Sequence, residues 1–298
     1  MPAKDEASYI QQAIDSLRGA DYKNWELIVI DDHSSDETFK IVADISKIDA
    51  RVSVFLNKGK GKVQGLNYGY SLTDGEIIKC IDADDILDKQ FFNVLKSNYD
   101  SQALYHDSYI TTSNLKVIGT GRVNVTYLSL DFLYCLRYLK SLPRWAWSFT
   151  RDIGDKIFPM PDDLPFEDVW FSLVIKKHSK SIKYVPEQLY YYRQHDNQTY
   201  GGILNFSQEI VEFRANRILR LINVLEKDLE NSLMRNVNEK DVFREVKDFN
   251  QSLATSSLTL FEILKKSVSS ELKIKLILYK KLPFLTPMAT RIKWLLKI

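Results

Sequence analysis

The stretch GEIIKCIDADD, residues 75–85, contains the pattern that decides the fold. Its segment Ile77–Ile81 is short and apolar apart from Lys79, which is typical of a buried strand. The four residues that follow, DADD at 82–85, place three carboxylates at the carboxyl end of that predicted strand. Ligands of open α/β sheets sit beyond the carboxyl ends of the strands. This turn is therefore a candidate site.

Strand and helix patterns alternate through the first hundred residues. The apolar runs at 25–30 and 52–56 predict two further strands, and the first of them ends in the acidic pair Asp31-Asp32. Apolar residues at helical spacing predict helices near 10–17, 36–45, 65–72 and from 91 onward. This order predicts an α/β domain with a parallel sheet and right-handed crossovers, and it brings two acidic clusters to strand ends.

The pattern changes near residue 202. Residues 103–200 mix short strand-like runs with irregular stretches rich in Pro and Trp, whereas the chain from Phe206 onward has the spacing of long amphipathic helices. We therefore expect an α/β domain over residues 1–202, followed by a helical region over residues 203–298.

Composition excludes several classes of protein. The chain has 298 residues, of which 45% are hydrophobic and 27% are charged, so it is neither a disordered chain nor a coiled-coil rod. Two isolated cysteines, Cys80 and Cys135, exclude a disulfide scaffold or a cysteine-rich zinc site and predict buried thiols. With no apolar run of about 18 residues and no signal-peptide pattern, the expected location is the cytoplasm.

The positive charge of the chain is concentrated in its last 27 residues. Residues 272–298 contain no acid, whereas residues 1–271 hold 34 basic and 39 acidic residues. The body of the protein is therefore not expected to bind nucleic acid. The basic and apolar tail predicts peripheral contact with the inner face of the cell membrane, with a soluble helix carrying solvated lysines as the alternative. The seven basic residues of the tail are Lys273, Lys275, Lys280, Lys281, Arg291, Lys293 and Lys297.

Four motifs carry the candidate chemistry, and each has a structural alternative. The turn at 82–85 suits a divalent cation that holds a diphosphate, or else an exposed acidic cap. Asp31-Asp32 suits recognition of a nucleoside, or else a loop. Glu167-Asp168 suits a general base, or else acids that complement a helix dipole. Arg193 and His195 suit a phosphate and a metal, or else the histidine is an ordinary polar residue. The segment GKGK at 59–62 has no Ser or Thr after a Gly-Lys pair, so it is interpreted as a flexible basic loop and not a P-loop.

Taken together, these motifs resemble a family 2 glycosyltransferase with the GT-A fold, of the bacterial surface-polysaccharide type. The resemblance covers residues 1 to about 200 in five segments that occur in the family's order. They are MPAKDEASYIQQAIDSL (1–17), WELIVIDDHSSDET (25–38), GLNYGYSLTDGEIIKCIDADD (65–85), FEDVWFSL (166–173) and YYRQHDN (191–197).

The resemblance implies a role for each matching residue. Asp168 would be the catalytic base, with Glu167 beside it, and the stretch RWAWS at 144–148 falls where the family shapes the acceptor pocket. Asp84 and His195 would hold Mn²⁺ or Mg²⁺ between the two phosphates. The residues implied to bind the nucleotide-sugar are Pro2, Ala3, Lys4, Glu6, Asp31, Asp32, Asp82, Ala83 and Arg193.

The implied activity is transfer of a sugar, from a UDP-sugar, to a hydroxyl of a glycan or lipid-linked oligosaccharide, with inversion at the anomeric carbon. One departure from the family concerns the first strand, of which only the part at Pro2-Ala3 is expected here. Two alternatives stay open: a non-catalytic, membrane-associated scaffold with the same fold, and a sugar-phosphate nucleotidyltransferase.

Overall fold

The protein is described from a computed structural model. The structure describes residues 1–98, 100–123, 125–162, 164–195, 208–229 and 237–255, together with Thr259 and Ile277. The predicted boundary at 202 and nearly all of the basic tail lie outside these residues. The described residues form two compact units.

A parallel sheet opens the first unit. Its strands are β1 (Pro2–Ala3), β2 (Leu27–Asp31) and β3 (Val52–Leu56), and β2 lies between the other two. Pro2 pairs with Ile30, and Leu27 pairs with Val52. The flanking helices are α1 (Ile10–Arg18), α2 (Thr38–Ser46) and α3 (Gly61–Leu72). The predicted spacing in α1 is confirmed, because Ile10, Ala13, Ile14 and Leu17 are its buried residues.

A second, mixed sheet follows. Its strands β4 (Ile77–Lys79), β5 (Ile86–Leu87), β6 (Ala103–Thr112), β7 (Val117–Gly121), β8 (Trp147–Thr150) and β9 (Ile182–Gln194) lie in the order β4-β8-β6-β9-β5, with β7 paired to β6. The pair β6 and β9 is parallel, and the other pairs are antiparallel. The strand predicted at 77–81 within a parallel sheet is therefore observed as Ile77–Lys79 and runs antiparallel to β8. The pairing of β5 with β9 sets Ile86 against Tyr191, so the C-terminal end of β9 lies beside the turn at 82–85. The helices of this part are α4 (Phe91–Ser97), α6 (Arg151–Ile157) and α7 (Glu167–His178).

The core of the first unit joins α1, β2, the acidic turn and β9. Ile14, Val29, Phe91 and Tyr190 are almost completely buried in one cluster, which also contains Ala83 of the turn. Cys80 and Cys135 are buried free thiols, as predicted. A cavity of about 650 Å³ lies between the two sheets, lined by residues of β2 and β4 and by apolar side chains of α1, α3 and α4.

The second unit contains helices α5 (Phe132–Tyr138), α8 (Gln208–Leu229) and α9 (Val237–Ala254). The fully buried Leu221, Ile222 and Leu225 of α8 recur at helical spacing, as expected for a helix with one apolar face. An ion pair of 2.7 Å joins Lys247 Nζ of α9 to Glu226 Oε2 of α8. None of the helices in the described part of the chain is both long enough and apolar enough to cross a bilayer.

Candidate functional site

The turn between β4 and β5 has a buried alanine between two partly exposed aspartates. Ala83 is 3% exposed and packs in the core, whereas the side chains of Asp82 and Asp84 remain 21% and 17% exposed. The small apolar side chain fixes the turn, and the carboxylates before and after it stay within reach of a ligand.

Asp82 is held by two cations. Its Oδ1 accepts a hydrogen bond from Arg144 Nη2 and lies 3.0 Å from Lys62 Nζ. Its backbone N–H donates to the hydroxyl oxygen of Tyr190 at 3.1 Å. Although burial raises the pKa of Asp82, the charges of Arg144 and Lys62 outweigh burial and hold that pKa well below its usual range.

Asp84 lies against His195, the residue predicted to hold a metal together with it. Its Oδ2 is 3.1 Å from His195 Nε2, and the imidazole is 8% exposed. The ring of Tyr9 packs on the imidazole with a centroid distance of 4.8 Å and fixes its plane. The two residues are 111 positions apart in sequence, and the pairing of β5 with β9 brings them together.

The Arg193 side chain is buried and bonded to the protein, although it was predicted to contact the nucleotide-sugar. It is 1% exposed, and its guanidinium donates to the Asp84 carbonyl at 2.6 Å, to the Ser113 carbonyl at 2.6 Å and to Gln12 Oε1 at 2.9 Å. Its charged plane also lies 4.5 Å from the centre of the Tyr9 ring. All three nitrogens are thus engaged with the protein, and Arg193 braces both the Asp84 turn and the ring that packs on His195.

The N-terminal segment brings one more carboxylate to this region. Burial, together with the negative charges of Asp84 and Asp82, raises the pKa of Glu6 to about 7. The backbone N–H of Glu6 donates to Thr38 Oγ1 at 2.8 Å, which fixes the segment on α2. Of the other residues predicted here, Ala3 is buried, Pro2 is partly buried and Lys4 is exposed.

Asp31 and Asp32 lie at the carboxyl end of β2 and differ in their surroundings. Asp32 Oδ1 accepts hydrogen bonds from Asn57 Nδ2 at 2.7 Å and from the Gly61 N–H at 2.9 Å, and its Oδ2 is 3.8 Å from Lys4 Nζ. Asp31 is 1% exposed, and its Oδ2 accepts the Ser34 N–H at 3.0 Å. Asp32 is therefore the accessible member of the pair, and it also holds the loop that opens α3.

The acidic pair Glu167-Asp168 opens α7 beside the same cations. Lys62 Nζ is 3.5 Å from Glu167 Oε1, and the backbone N–H of Arg144 donates to Asp168 Oδ1 at 2.7 Å. Burial and the neighbouring negative charge of Glu167 raise the pKa of Asp168 to about 6. A carboxylate with that pKa is ionised at neutral pH and is a stronger base than an ordinary aspartate.

The contacts of two residues in this cluster were not predicted. Lys62 was placed in a flexible loop, yet it bridges Asp82 and Glu167. Arg144 was assigned to an acceptor pocket together with residues 145–148, but its side chain turns to Asp82, and Ala146, Trp147 and Ser148 are buried in the core. The GKGK pattern ahead of a helix was the available signal for Lys62. No sequence pattern pointed to the partner of Arg144.

Asp84 and His195 provide part of the coordination that a divalent cation requires. The described residues contain no group of three or more His, Cys, Asp and Glu side chains arranged to hold a metal. Asp84 and His195 supply two adjacent donors. Magnesium-like ions at phosphate sites are bound through one or two carboxylates, with phosphate oxygens and waters as the other ligands. The two residues fit an ion that arrives with a diphosphate, and they do not form a complete protein cage.

Comparison with known proteins gives a family match for the first part of the chain. Residues 1–107 match the model of glycosyl transferase family 2. The predicted resemblance is therefore confirmed, and the matched segment includes β2, α3 and the acidic turn.

One curated relative and two solved structures illustrate the likeness. The chain is 31% identical, over 125 residues, to the UDP-Glc:alpha-D-GlcNAc-diphosphoundecaprenol beta-1,3-glucosyltransferase of Escherichia coli, a match over 40% of this chain and 47% of that protein. TarS of S. aureus in complex with UDP-GlcNAc has a TM-score of 0.58 at 16% identity, over 98% of this chain and 89% of that one. A Pyrobaculum calidifontis mannosyltransferase in complex with GDP-Man and Mn²⁺ has a TM-score of 0.52 at 17% identity, over 98% of this chain and 84% of that one.

The structural likeness confirms the predicted GT-A fold with a helical C-terminal region. The first curated relatives are matched over only part of their length, from 24% to 58%.

Proposed function

We propose that this chain is an inverting, metal-dependent glycosyltransferase that moves a sugar from a UDP-sugar to a hydroxyl of a glycan or lipid-linked oligosaccharide in surface-polysaccharide synthesis. The observation that carries the proposal is the set of contacts that join Asp84 to His195, and that join both Asp82 and Asp168 to the buried Arg144. The family 2 match includes Asp82 and Asp84.

The donor side is assigned to residues at the carboxyl ends of β2 and β4. Asp32, Glu6 and the surrounding Pro2–Lys4 segment would bind the nucleoside, and Asp82 would bind the ribose. The E. coli relative is named for a UDP-Glc donor, and TarS was solved with UDP-GlcNAc, which supports UDP as the nucleotide. For Arg193 we propose support of the Asp84 turn instead of contact with phosphate, because its guanidinium is engaged with the protein.

A divalent cation, Mn²⁺ or Mg²⁺, held by Asp84 and His195, would neutralise charge that develops on the leaving diphosphate. Its support comes from the fit of the two donors and from the Mn²⁺ in the mannosyltransferase complex. The raised pKa of Glu6 also marks an excess of negative charge near Asp84 and Asp82 that a bound cation would offset.

Asp168 is assigned as the general base. Its carboxylate would accept the proton of the acceptor hydroxyl while that oxygen bonds to the anomeric carbon and the bond from that carbon to the diphosphate oxygen breaks. A single displacement from the opposite side inverts the anomeric configuration. Burial and the charge of Glu167 keep the pKa of Asp168 high, and the Arg144 N–H fixes the orientation of the carboxylate.

Two further proposals rest on the sequence, one on the domain bounds and one on the basic tail. We propose a GT-A domain over residues 1–202 and a helical region over residues 203–298, whose tail binds the inner face of the membrane. Seven basic residues and no acid in 272–298 support attraction to anionic lipid. The full chain should sediment with anionic liposomes, and a chain cut after Ser270 should not. Equal sedimentation of both would remove the membrane proposal.

The proposed activity is tested with the full chain, Mn²⁺ and a panel of nucleoside diphosphates and nucleotide-sugars. UDP at about 100 times its Kd should raise the stability of the folded state by about 2.7 kcal/mol, and only with metal present. Asp84→Asn should lose the metal-dependent shift, whereas Asp100→Asn, an exposed carboxylate paired with Lys183, should keep it.

Transfer to a lipid-linked acceptor, followed by NMR of the product, reports the anomeric configuration. Retention of configuration would contradict the mechanism. Nucleotide binding without turnover with any donor would favour the non-catalytic scaffold.

A further inference from the structure

Arg144 contacts both halves of the candidate site. It opens a short 3₁₀ turn, Arg144–Ala146, and its side chain is 2% exposed. The guanidinium Nη2 donates to Asp82 Oδ1, and the backbone N–H of the same residue donates to Asp168 Oδ1 at 2.7 Å. One residue therefore touches the carboxylate assigned to the donor and the carboxylate assigned as base.

The environment of this guanidinium is not one that stabilises the fold. Among the described residues, its Nε and Nη1 atoms are buried and have no hydrogen-bond partner. A buried cation with unpartnered donors costs free energy, and well-packed apolar residues can replace such an ion pair without loss of stability. The presence of an arginine here is better explained by the two carboxylates that it contacts.

We propose that Arg144 is a positioning residue that fixes the separation of Asp82 and Asp168, its side chain holding the first and its main chain the second. The inference rests on the proposed function, which assigns a donor role to Asp82 and a base role to Asp168. Rigid placement matters because a displacement of about 1 Å can cost about 10²-fold in rate.

The charged and titratable groups that face Asp168 determine how a change at Arg144 is read out. They are Glu167 on the same helix, Arg144 and Lys62 on the cationic side, and Tyr192 of β9. The positive charge of Arg144 and its N–H both favour the ionised carboxylate, and Glu167 opposes it. Loss of either contribution from Arg144 should therefore make Asp168 easier to protonate.

Two substitutions separate the side chain from the main chain. Arg144→Met removes the guanidinium and keeps the N–H, whereas Arg144→Pro removes both. The backbone accepts proline here, because Pro143 has φ −56° and ψ 141°, the extended conformation required before proline, and because residue 144 is the first of a helical turn. The matched control is Arg151→Met, which removes a partly buried arginine bound to the carbonyls of Gly75 and Thr73 outside the site.

The expected shift of the Asp168 titration increases from Arg144→Met to Arg144→Pro. The carboxyl titration of Asp168, measured by NMR and assigned with Asp168→Asn, should move to higher pH in Arg144→Met and further in Arg144→Pro. The acid limb of kcat/KM should follow the same order, and kcat/KM at neutral pH should fall about 10²-fold in Arg144→Met. Arg144→Lys keeps the positive charge, so it should shift the acid limb of kcat/KM less than Arg144→Met does. Arg151→Met should lower Tm without shifting the Asp168 titration or the acid limb of kcat/KM.

If Arg144→Met does not fold, the double variant D82N/R144M removes both buried charges and replaces it in the NMR titration. An unchanged Asp168 titration in both the Met and Pro variants, or an equal shift in Arg151→Met, would overturn the positioning role. Failure of the proposed function is a separate result, in which the unmodified chain transfers no sugar. The Asp168 titrations of the Arg144 variants would still decide the role of Arg144.

Discussion

Asp168→Asn should abolish transfer and at the same time stabilise the protein at neutral pH. Burial and Glu167 raise the pKa of Asp168 from 3.8 to about 6, so its ionisation opposes folding. In the unfolded chain this carboxyl releases its proton near its ordinary pKa. Between pH 3.8 and 6 the folded state therefore binds more protons than the unfolded state, and the free energy of unfolding decreases as pH rises through that window.

The magnitude follows from the difference of about 2 pKa units. At about 1.4 kcal/mol per unit, ionised Asp168 costs up to about 3 kcal/mol of stability above pH 6. An amide in its place stays neutral, and its oxygen still accepts the Arg144 N–H. Asp168→Asn should then unfold several degrees higher than the unmodified chain at pH 7.5, since 1 kcal/mol corresponds to about 2–4 °C for a domain of this size.

The assay is Tm by calorimetry at pH 7.5 and pH 4.5, together with kcat/KM across the same range. The Tm difference should shrink toward pH 4.5, where Asp168 is protonated in the folded state. In the unmodified chain, kcat/KM should fall about tenfold per pH unit below pH 6. Asp155→Asn, a carboxylate bonded to the Tyr70 hydroxyl away from the site, is the control and should retain activity. A variant at Asp168 that is less stable than the unmodified chain at pH 7.5 would refute the reasoning.

Three further perturbations have defined outcomes. Glu6→Gln should raise Tm at pH 8 but not at pH 5, because the pKa of Glu6 is raised from 4.5 to about 7, and equal effects at both pH values would contradict this. Arg193→Met should lower Tm and weaken metal-dependent nucleotide binding measured by calorimetry, because the Asp84 turn loses its brace; unchanged binding would assign Arg193 to the core alone. A short apolar extension before Met1 should raise Tm, because it would continue β1 along β2 into the 650 Å³ cavity, whereas a proline-containing extension should not.

The parallel part of the fold was largely predictable. The strand at 52–56 was predicted with its observed bounds, and the strand at 25–30 is observed as Leu27–Asp31. Both are short runs rich in Val and Ile or Phe, residues typical of strands, although β2 is largely buried and β3 is mostly half-buried. The strand Trp147–Thr150 was missed because its partners are β4 and β6, and antiparallel pairing with distant segments leaves no periodic signal in a four-residue run.

Helix α3 shows where a long-range contact overrides a local pattern. The sequence predicted a flexible loop at 59–62 and a helix from 65, but the helix begins at Gly61. The cause lies 29 residues upstream, because Asp32 Oδ1 accepts the Gly61 N–H and satisfies a donor that the first turn leaves open. Gly61 itself has φ +83°, which other residues adopt only with strain. Lys62 is thereby turned toward Asp82 and Glu167.

The site shows the same division between local and long-range information. The acidic turn was visible in the sequence because carboxylates after a buried strand are a local pattern. The cationic side of the site depends on Arg144 and Lys62, which reach Asp82 across 62 and 20 positions of sequence. Asp82 and Asp168 share these cations, yet Asp82 keeps a low pKa and Asp168 a high one, because only Asp82 contacts both side-chain charges directly. Placement of the two cations against one carboxylate therefore gives two nearby acids different protonation behaviour, which is the property that a donor-binding acid and a general base require.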